Sequence, residues 1–407
     1  MNLNYLKNYM GIYMGKAVII TCIPIKKSFE KEFWETFVRS LVRKKYTVYL
    51  LNDIPLNCGE SFVFLPRNLD SINVPKSFNE KMGVEYFDTD LNIYLYREIL
   101  FMKCKSLKGK ISIQYILYII YNILKKHTIV SIITWGELSP ASYLSRWLIK
   151  KTRINIPLYE AERAPFDEYI WIEKDGIFEQ SKLWKKSIPP IDNKYVKLGN
   201  IELEKLKNNV YGFRKDKNYN DSVNCLKSSN NLAFLPMDNV YETGWMPRNL
   251  NQTTMEHMNL GEPFAFIEKL QQACESLDYS LSVRKHPSCK YILNDNRFEL
   301  KDEILKSKIC FCNYTKVAFP IIALNKPLIT FVKNPVLLTG KALYLDDLSK
   351  LNSFYIEEAE KLSLKSEDAV SNSLGWMLSE CFYTNDENEE HLQVENLVDL
   401  ITEGELL

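Results

Sequence analysis

Short β-branched runs alternate along this chain with stretches in which an apolar residue recurs every third or fourth position, the two periods of a strand and of one helical face. Residues 16–22 (KAVIITC) are the first run, and Phe29, Phe33, Phe37 and Leu41 then share one helical face. The run at 46–51 follows at the spacing of a parallel β-α-β crossover. After a less regular region to about residue 110 come a strongly apolar stretch at 111–124 and a strand at 129–135. Ser139 as N-cap and Pro140 as first residue then open a helix with Leu144 and Leu148 on its face. A strand at 154–160 follows, which Pro157 marks as an edge or interrupted one.

From 164 to about 219 the texture changes to proline, lysine and aromatic residues, with Ile188, Pro189 and Pro190 and a charged segment at 205–217. This stretch reads as the connection between two domains. A second alternating series follows: a strand at 231–235, a loop at 236–260, a helix at 263–277 on the face Phe266, Leu270, Ala273 and Leu277, and a strand from Tyr279. A helix near 301–307, a strand at 308–312, a turn at 313–315, a helix to Leu324, a turn at Asn325, Lys326 and Pro327, and a strand at 328–332 continue it. Beyond Glu357 the pattern is helical, then acidic at 385–390. The expected organisation is an N-terminal α/β domain over 1–210, with the linker at its end, and a C-terminal α/β domain over 211–407 with a helical tail. The expected fold class is α/β, two doubly wound Rossmann-type domains facing a cleft.

At 407 residues, 46% hydrophobic and 13% aromatic, the chain is long and apolar enough for two cores. Its 52 basic and 51 acidic residues leave a formal charge of +1, which argues against nucleic-acid binding through bulk electrostatics and makes any anion site local. The 9 Cys are scattered apart from Cys310 and Cys312, which points to a reduced cytoplasmic protein rather than a disulfide scaffold. The 4 His cannot be assembled into a zinc site; the Asp88-Thr89-Asp90 spacing suits a divalent cation on a nucleotide sugar, but so short a pattern reads rather as a loop, and no metal is expected. Residues 1–13 lack the charged tip and apolar core of a leader. The apolar stretch at 111–124 contains Ser112, Gln114 and Asn122 and is too short to span a bilayer. It reads as a buried helix or, given Tyr115, Tyr118, Tyr121 and the following Lys125 and Lys126, as one lying in the membrane plane.

Candidate chemistry gathers where predicted strands end. Arg284, Lys285 and His286 close one strand with three basic side chains and Pro287 stops its ladder, which reads as an anion site or as a solvated basic turn. Asn313, Tyr314 and Thr315 open a helix whose free N–H groups can hold the same anion; Thr315 reads as an N-cap, a phosphate contact, or both. Glu137 and Glu160 stand at the ends of two strands of the first domain. A glycine-rich phosphate loop and a dinucleotide fingerprint are both missing, which counts against ATP, GTP and NAD. Two doubly wound domains around a cleft are the arrangement of GT-B glycosyltransferases and of some sugar-nucleotide epimerases, and fold alone does not choose.

Motif order narrows the choice. Glu160-x-x-Arg163-x-Pro165, Ile170-x-Ile172-Glu173-x-x-Gly176-Ile177, a strand ending in Leu235-Pro236 with carboxylates after it, Arg284-Lys285-His286-Pro287, Lys306-Ser307-Lys308 and Asn325-Lys326-Pro327 succeed one another over about residues 130–335. In this order they resemble the bacterial retaining β-Kdo glycosyltransferases of capsule and lipopolysaccharide O-antigen synthesis. His286-Pro287 is the most recognisable piece, and sialyltransferases and related CMP-sugar enzymes carry such a pair too. The resemblance implies a GT-B fold, CMP-β-Kdo as donor held by the C-terminal domain, and a lipid-linked oligosaccharide or polysaccharide acceptor held mainly by the N-terminal domain. It implies no cofactor and no metal.

The resemblance also implies a double displacement with an Asp nucleophile, for which Asp238 is the candidate. Some relatives have Gln there and the acid a few residues later, where this chain has Glu242. Glu160 is implied as acid/base or sugar-orienting group, with Glu162 and Glu137 behind it; each of these acids also reads as an ion pair or helix cap. Arg163 reads as a partner for a carboxylate of donor or protein. The expected setting is cytoplasmic, or peripheral at the inner membrane, with other glycan-assembly enzymes or further domains of a longer chain as partners. The alternatives are another CMP-sugar transferase, sialyltransferase-like, and a non-catalytic glycan- or nucleotide-binding module.

Overall fold

The structure, a computed structural model, describes residues 15–21, 23–25, 27–52, 54–58, 62–66, 74–82, 106–136, 140–174, 176–177, 181–208, 231–238, 247–249, 252–253, 263–286, 299–386 and 391–403. The chain divides into two units, one of residues 1–162, 170–177 and 383–407, the other of residues 163–169 and 178–382.

The first unit is built on strands β1 (Lys16–Thr21), β2 (Thr47–Asn52), β3 (Phe62–Pro66), β4 (Thr128–Trp135), β5 (Leu158–Arg163) and β6 (Tyr169–Lys174). They lie in the order 3-2-1-4-5-6, and the short strands Tyr383–Thr384 and Leu392–Gln393 extend the sheet beyond β6. β1 runs parallel to β2 and β4, β2 to β3, and β4 to β5. This is a doubly wound order, in which the chain works outward from β1 on one side and returns to its other side at β4. Helix α1 (Ser28–Arg43) makes the first crossover and buries Phe33, Phe37 and Leu41, with Phe29 packed against the same core.

Helices α2 (Lys76–Met82), α3 (Ser106–Lys126) and α4 (Pro140–Thr152) lie in other connections of the first unit. α3 is a buried helix rather than a membrane-plane one: Ile113, Tyr115, Ile116, Leu117, Ile119 and Ile120 are all buried. Phe78 of α2 meets Tyr118 and Tyr121 with ring centroids 5.1 and 5.4 Å apart. Among the described residues no helix is long and apolar enough to cross a membrane.

The second unit carries β7 (Leu232–Pro236), β8 (Ser280–Arg284), β9 (Ile309–Cys312), β10 (Leu328–Thr330) and β11 (Ala342–Tyr344), all parallel, in the order 8-7-9-10-11. Counted within the unit this is 2-1-3-4-5, the other common doubly wound order, and the winding changes direction between β7 and β9. Its helices are α5 (Asn193–Lys207), α6 (Pro263–Ser276), α7 (Leu300–Lys306), α8 (Ala318–Ala323), α9 (Ser353–Ser363) and α10 (Glu367–Glu380). Leu235, Phe266, Leu270, Phe311 and Phe331 form the centre of its core, Phe311 stacking on Phe331 at 5.8 Å.

The single domain boundary expected at 210 gives way to a discontinuous division. Much of the stretch read as linker is structured: a 3-10 turn at Lys182–Lys185 and then α5, which packs along α10. Glycines make the crossing close. A Cβ on Gly199 would lie 1.8 Å from the Ser371 carbonyl oxygen, and one on Gly375 would lie 1.9 Å from that of Tyr195. The Asn372 side chain accepts from the Asp192 N–H at 2.9 Å and donates to the Pro189 carbonyl at 3.1 Å, which ties down the Pro189-Pro190 loop. In the other direction the chain's last described helix, Val394–Glu403, buries Val394, Leu397, Val398 and Ile401 in the first unit's core. A proline- and lysine-rich texture concealed α5 because its partner is remote; Ser371 donates to Asn200 across a separation of 171 residues.

Candidate active site

In a doubly wound sheet the loops leaving the two strands at the change of direction splay apart, and the crevice between them takes the ligand. In the second unit those strands are β7 and β9, followed by Asp238 and by Asn313 and Tyr314. The Tyr314 N–H donates to Asp238 Oδ2 at 3.2 Å across that point. Asp238 is 3% exposed, and its Oδ1 has no hydrogen-bond partner among the described residues. Burial pushes its carboxyl up to about 7, against the opposing pull of the Tyr314 N–H. Asn313 is buried as well, and its Oδ1 also has no partner among the described residues. Two buried acceptors at one strand junction call for O–H or N–H donors, since an unmatched buried acceptor is costly.

The turn that carries these groups is held from below. Asn334 Nδ2 donates to the Asn313 carbonyl at 2.8 Å and to the Thr315 carbonyl at 3.3 Å, while Asn334 Oδ1 accepts from the Val336 N–H at 3.0 Å. Asn334 was not among the sequence candidates, although an Asn directly before Pro335 is a helix-start signal that could have drawn attention to it. Thr315 is not the N-cap, a position taken by Val317 with no side-chain cap; its hydroxyl accepts from the Val317 N–H at 3.2 Å and closes the turn before the helix. The helix it introduces, α8, has only 6 residues, so the positive helix end expected there contributes little. Cys312, the last residue of β9, is an inert buried thiol: burial, then the charge of Asp238, then Cys310 raise its pKa well above the usual range.

The three-cation tip expected after β8 is not formed as such. Leu281 and Val283 pack toward the core, so by strand alternation Ser282 and Arg284 face the other way, toward α7. There Arg284 Nη1 lies 2.5 Å from Glu303 Oε2, with side chains 8% and 4% exposed, and the Ser282 hydroxyl donates to Glu303 Oε1 at 3.3 Å. Glu303, unremarkable in the sequence, is what turns Arg284 inward. Lys285 and His286 lie past the strand end and are half-buried. Pro287, Glu242 and Glu137 lie outside the described residues, as do Ser139 and Asp88-Thr89-Asp90.

Glu160 does not end its strand. β5 runs on to Arg163, and Glu160 is fully buried in the first unit's sheet opposite Thr134. Glu162 and Arg163 are half-buried. The segment from Arg163 to Tyr169 belongs with the second unit, where Lys316 Nζ donates to the Ala164 carbonyl and Phe166 meets Phe319 at 4.9 Å. Other pieces of the motif order hold the fold. Ser307 donates to the Glu303 carbonyl at 2.6 Å, and Lys326 donates to the carbonyls of Leu305 at 2.6 Å and Ser307 at 3.0 Å. Asn325 takes φ 54° and accepts from the buried Lys341. Glu173 accepts from the Trp171 indole at 2.7 Å.

No protein-family model matches this chain, and no curated protein matches it. Among solved structures, the KpsC β-Kdo 2,7 transferase of Thermosulfurimonas dismutans aligns at 12% identity with a TM-score of 0.38, over 71% of this chain and 89% of that one. The KpsC β-Kdo 2,4 transferase of the same organism aligns at 10% identity and 0.38, over 59% and 85%. The UDP-GlcNAc 2-epimerase of Methanocaldococcus jannaschii aligns at 14% identity and 0.37, over 96% and 100%. The α/β class with two doubly wound Rossmann-type units, expected from the sequence, is the one the two strand orders display.

Proposed function

We propose that this chain is a retaining glycosyltransferase that moves Kdo from CMP-β-Kdo to a bacterial surface glycan. The observation that carries the reading is Asp238: a buried carboxyl where the second sheet changes direction, one oxygen held by the Tyr314 N–H and the other without a partner among the described residues. It stands in a chain whose motif order resembles the β-Kdo transferases, one strand away from Lys285 and His286.

In this reading CMP-Kdo presents a phosphate leaving group on an anomeric carbon that already bears a carboxylate. Departure of CMP develops negative charge beside an existing one, and Lys285 and His286 are the cations assigned to it. Arg284, committed to Glu303, is no longer assigned to the phosphate. Asp238 attacks the anomeric carbon, the bond to the phosphate oxygen breaks with its electron pair, and CMP leaves, giving a Kdo ester of Asp238. An acceptor hydroxyl, losing its proton to a general base, then displaces the Asp238 carboxylate; Glu160, closed inside the first unit's sheet, is no longer assigned that role. Two inversions give net retention. Asn313 Oδ1 is assigned to a sugar or nucleotide hydroxyl. Glu242 is the substitute nucleophile should Asp238 prove dispensable.

The test is to incubate the chain with CMP-Kdo, quench and digest it, and weigh the peptides. A gain of one Kdo on the peptide carrying Asp238 supports the reading. Wild-type transfer by Asp238→Asn, or the gain on a peptide carrying Glu242 alone, removes Asp238 as nucleophile. CMP-sialic acid offered in parallel separates the sialyltransferase-like alternative, and binding of CMP without transfer or donor hydrolysis marks a non-catalytic module.

A further inference from the structure

We propose that the buried Arg284–Glu303 ion pair is a positioning device for Asp238: it holds the end of β8 against α7, so that the last carbonyl of β8 fixes the backbone presenting the carboxylate. This rests on the reading of Asp238 as the nucleophile. The contacts form one continuous chain. Glu303 of α7 takes the Arg284 guanidinium at 2.5 Å and the Ser282 hydroxyl at 3.3 Å, gripping two residues of β8 on one face. The Arg284 carbonyl then accepts the Met237 N–H at 2.8 Å. Met237 immediately precedes Asp238, whose Oδ2 is tied on its far side to the Tyr314 N–H at 3.2 Å.

Proline makes that single backbone bond matter. Pro236 stands opposite Arg284 in the ladder and has no N–H, so Met237 supplies the first donor past the end of β7. Without it the residue before Asp238 has no tie to β8 at this level. Burying a guanidinium and a carboxylate together seldom adds stability over an apolar pair, and geometric specification is among the better-supported uses of such a pair. Arg284 is thus a positioning residue that acts through its own carbonyl, not a ligand of the leaving phosphate.

Glu303→Gln preserves size and removes the charge. In the full folded chain, checked by circular dichroism and thermal melting, the Met237 and Tyr314 amides are expected to exchange hydrogen at least ~10-fold faster than in the unmodified protein, with Phe234 in mid-strand unchanged. The kcat for Kdo transfer is expected to fall roughly 10- to 100-fold while KM for CMP-Kdo stays within about 3-fold, and Arg284→Lys is expected to recover part of the kcat lost in Arg284→Met. Unchanged exchange at both amides overturns the proposal. So does a rise in donor KM at constant kcat, which makes Arg284 a donor ligand. If Glu303→Gln does not fold, Glu303→Asp, which keeps the charge and shortens its reach, is read in the same way with a smaller expected effect. Should the unmodified chain transfer no Kdo at all, the reading of function fails, and the exchange measurement still decides whether the pair positions Asp238.

Discussion

Two carboxyls of the second unit, Glu202 and Asp238, are both pushed up to about 7 by burial, yet their surroundings differ in kind. Glu202 sits on α5, in the unit where α5 and α10 pack glycine to backbone, with Lys205 3.6 Å from one of its oxygens and the charge of Asp167 nearby. Around that seam polar groups satisfy one another: Asn372 bridges Asp192 and Pro189, Ser371 donates to Asn200, and Tyr195 donates to Glu380 at 3.3 Å. Asp238 has a single backbone N–H, no cation within ion-pair distance among the described residues, and a second unmatched acceptor in Asn313. A raised carboxyl pKa is common to both, so it does not by itself mark a site. Each acid also has one oxygen without a hydrogen-bond partner among the described residues. Position at the change of winding, beside the unmatched Asn313 acceptor and without a neighbouring cation such as Lys205, separates the two.

That comparison can be broken most directly by exchanging each acid for its amide. Asp238→Asn is expected to lower Kdo transfer by about 10³-fold or more with the fold intact, whereas Glu202→Gln leaves the rate within about twofold; a transfer assay with CMP-Kdo reads both. Equal effects from the two would dissolve the distinction. The seam is tested next. Gly199→Ala and Gly375→Ala each drive a methyl into backbone, and a loss of about 3 kcal/mol or more in denaturant unfolding is expected, against little change for an alanine on an exposed face.

The pH dependence follows from the sign of the two shifts. Both acids hold protons more tightly folded than unfolded, so their contribution to stability is greatest below the ordinary carboxylate range and is lost as pH rises toward about 7. Above that pH each charged form costs on the order of 3 kcal/mol, so Glu202→Gln is expected to raise the melting temperature at pH 8 and to leave it unchanged at pH 4. Transfer runs the other way, since the nucleophile must be ionised, and the rate is expected to climb through about pH 7. Smaller effects are expected at the rim. Lys285→Ala should raise donor KM by about 10-fold with little change in kcat, the loss of one charge-assisted contact. Thr315→Ala should cost about 1 kcal/mol through the lost turn hydrogen bond to the Val317 N–H and leave donor KM nearly unchanged; a large KM increase would restore Thr315 as a phosphate contact.

Local periodicity was enough to find most of the strands and helices. The strand at 16–21, the face of Phe33, Phe37 and Leu41, the buried helix around Ile116 and the β-α-β series from Leu232 to Thr330 all stand close to where their apolar pattern places them. The candidates Asp238, Asn313 and Tyr314 were legible because a polar residue just past a buried strand is already placed by that strand's end. What failed depended on remote partners. Glu160 was read as a strand end because Pro157 blurs the start of β5, which begins at Leu158 and runs on to Arg163. The linker reading failed because α5 is stabilised by a helix far along the chain. Arg284 read as an exposed cation because nothing adjacent in sequence announces Glu303.

From the sequence alone, then, come the element types, the two α/β series and the residues at strand ends, since these rest on the chemistry of neighbours within a few positions. Tertiary structure decided how strands order themselves in each sheet, and therefore that Asp238 and Tyr314 meet where the second sheet changes direction. It also decided which charges are spent inside the fold. Arg284 carries the same charge in either reading, but only a partner contributed by α7 determines whether that charge faces a ligand or holds the strand that presents one.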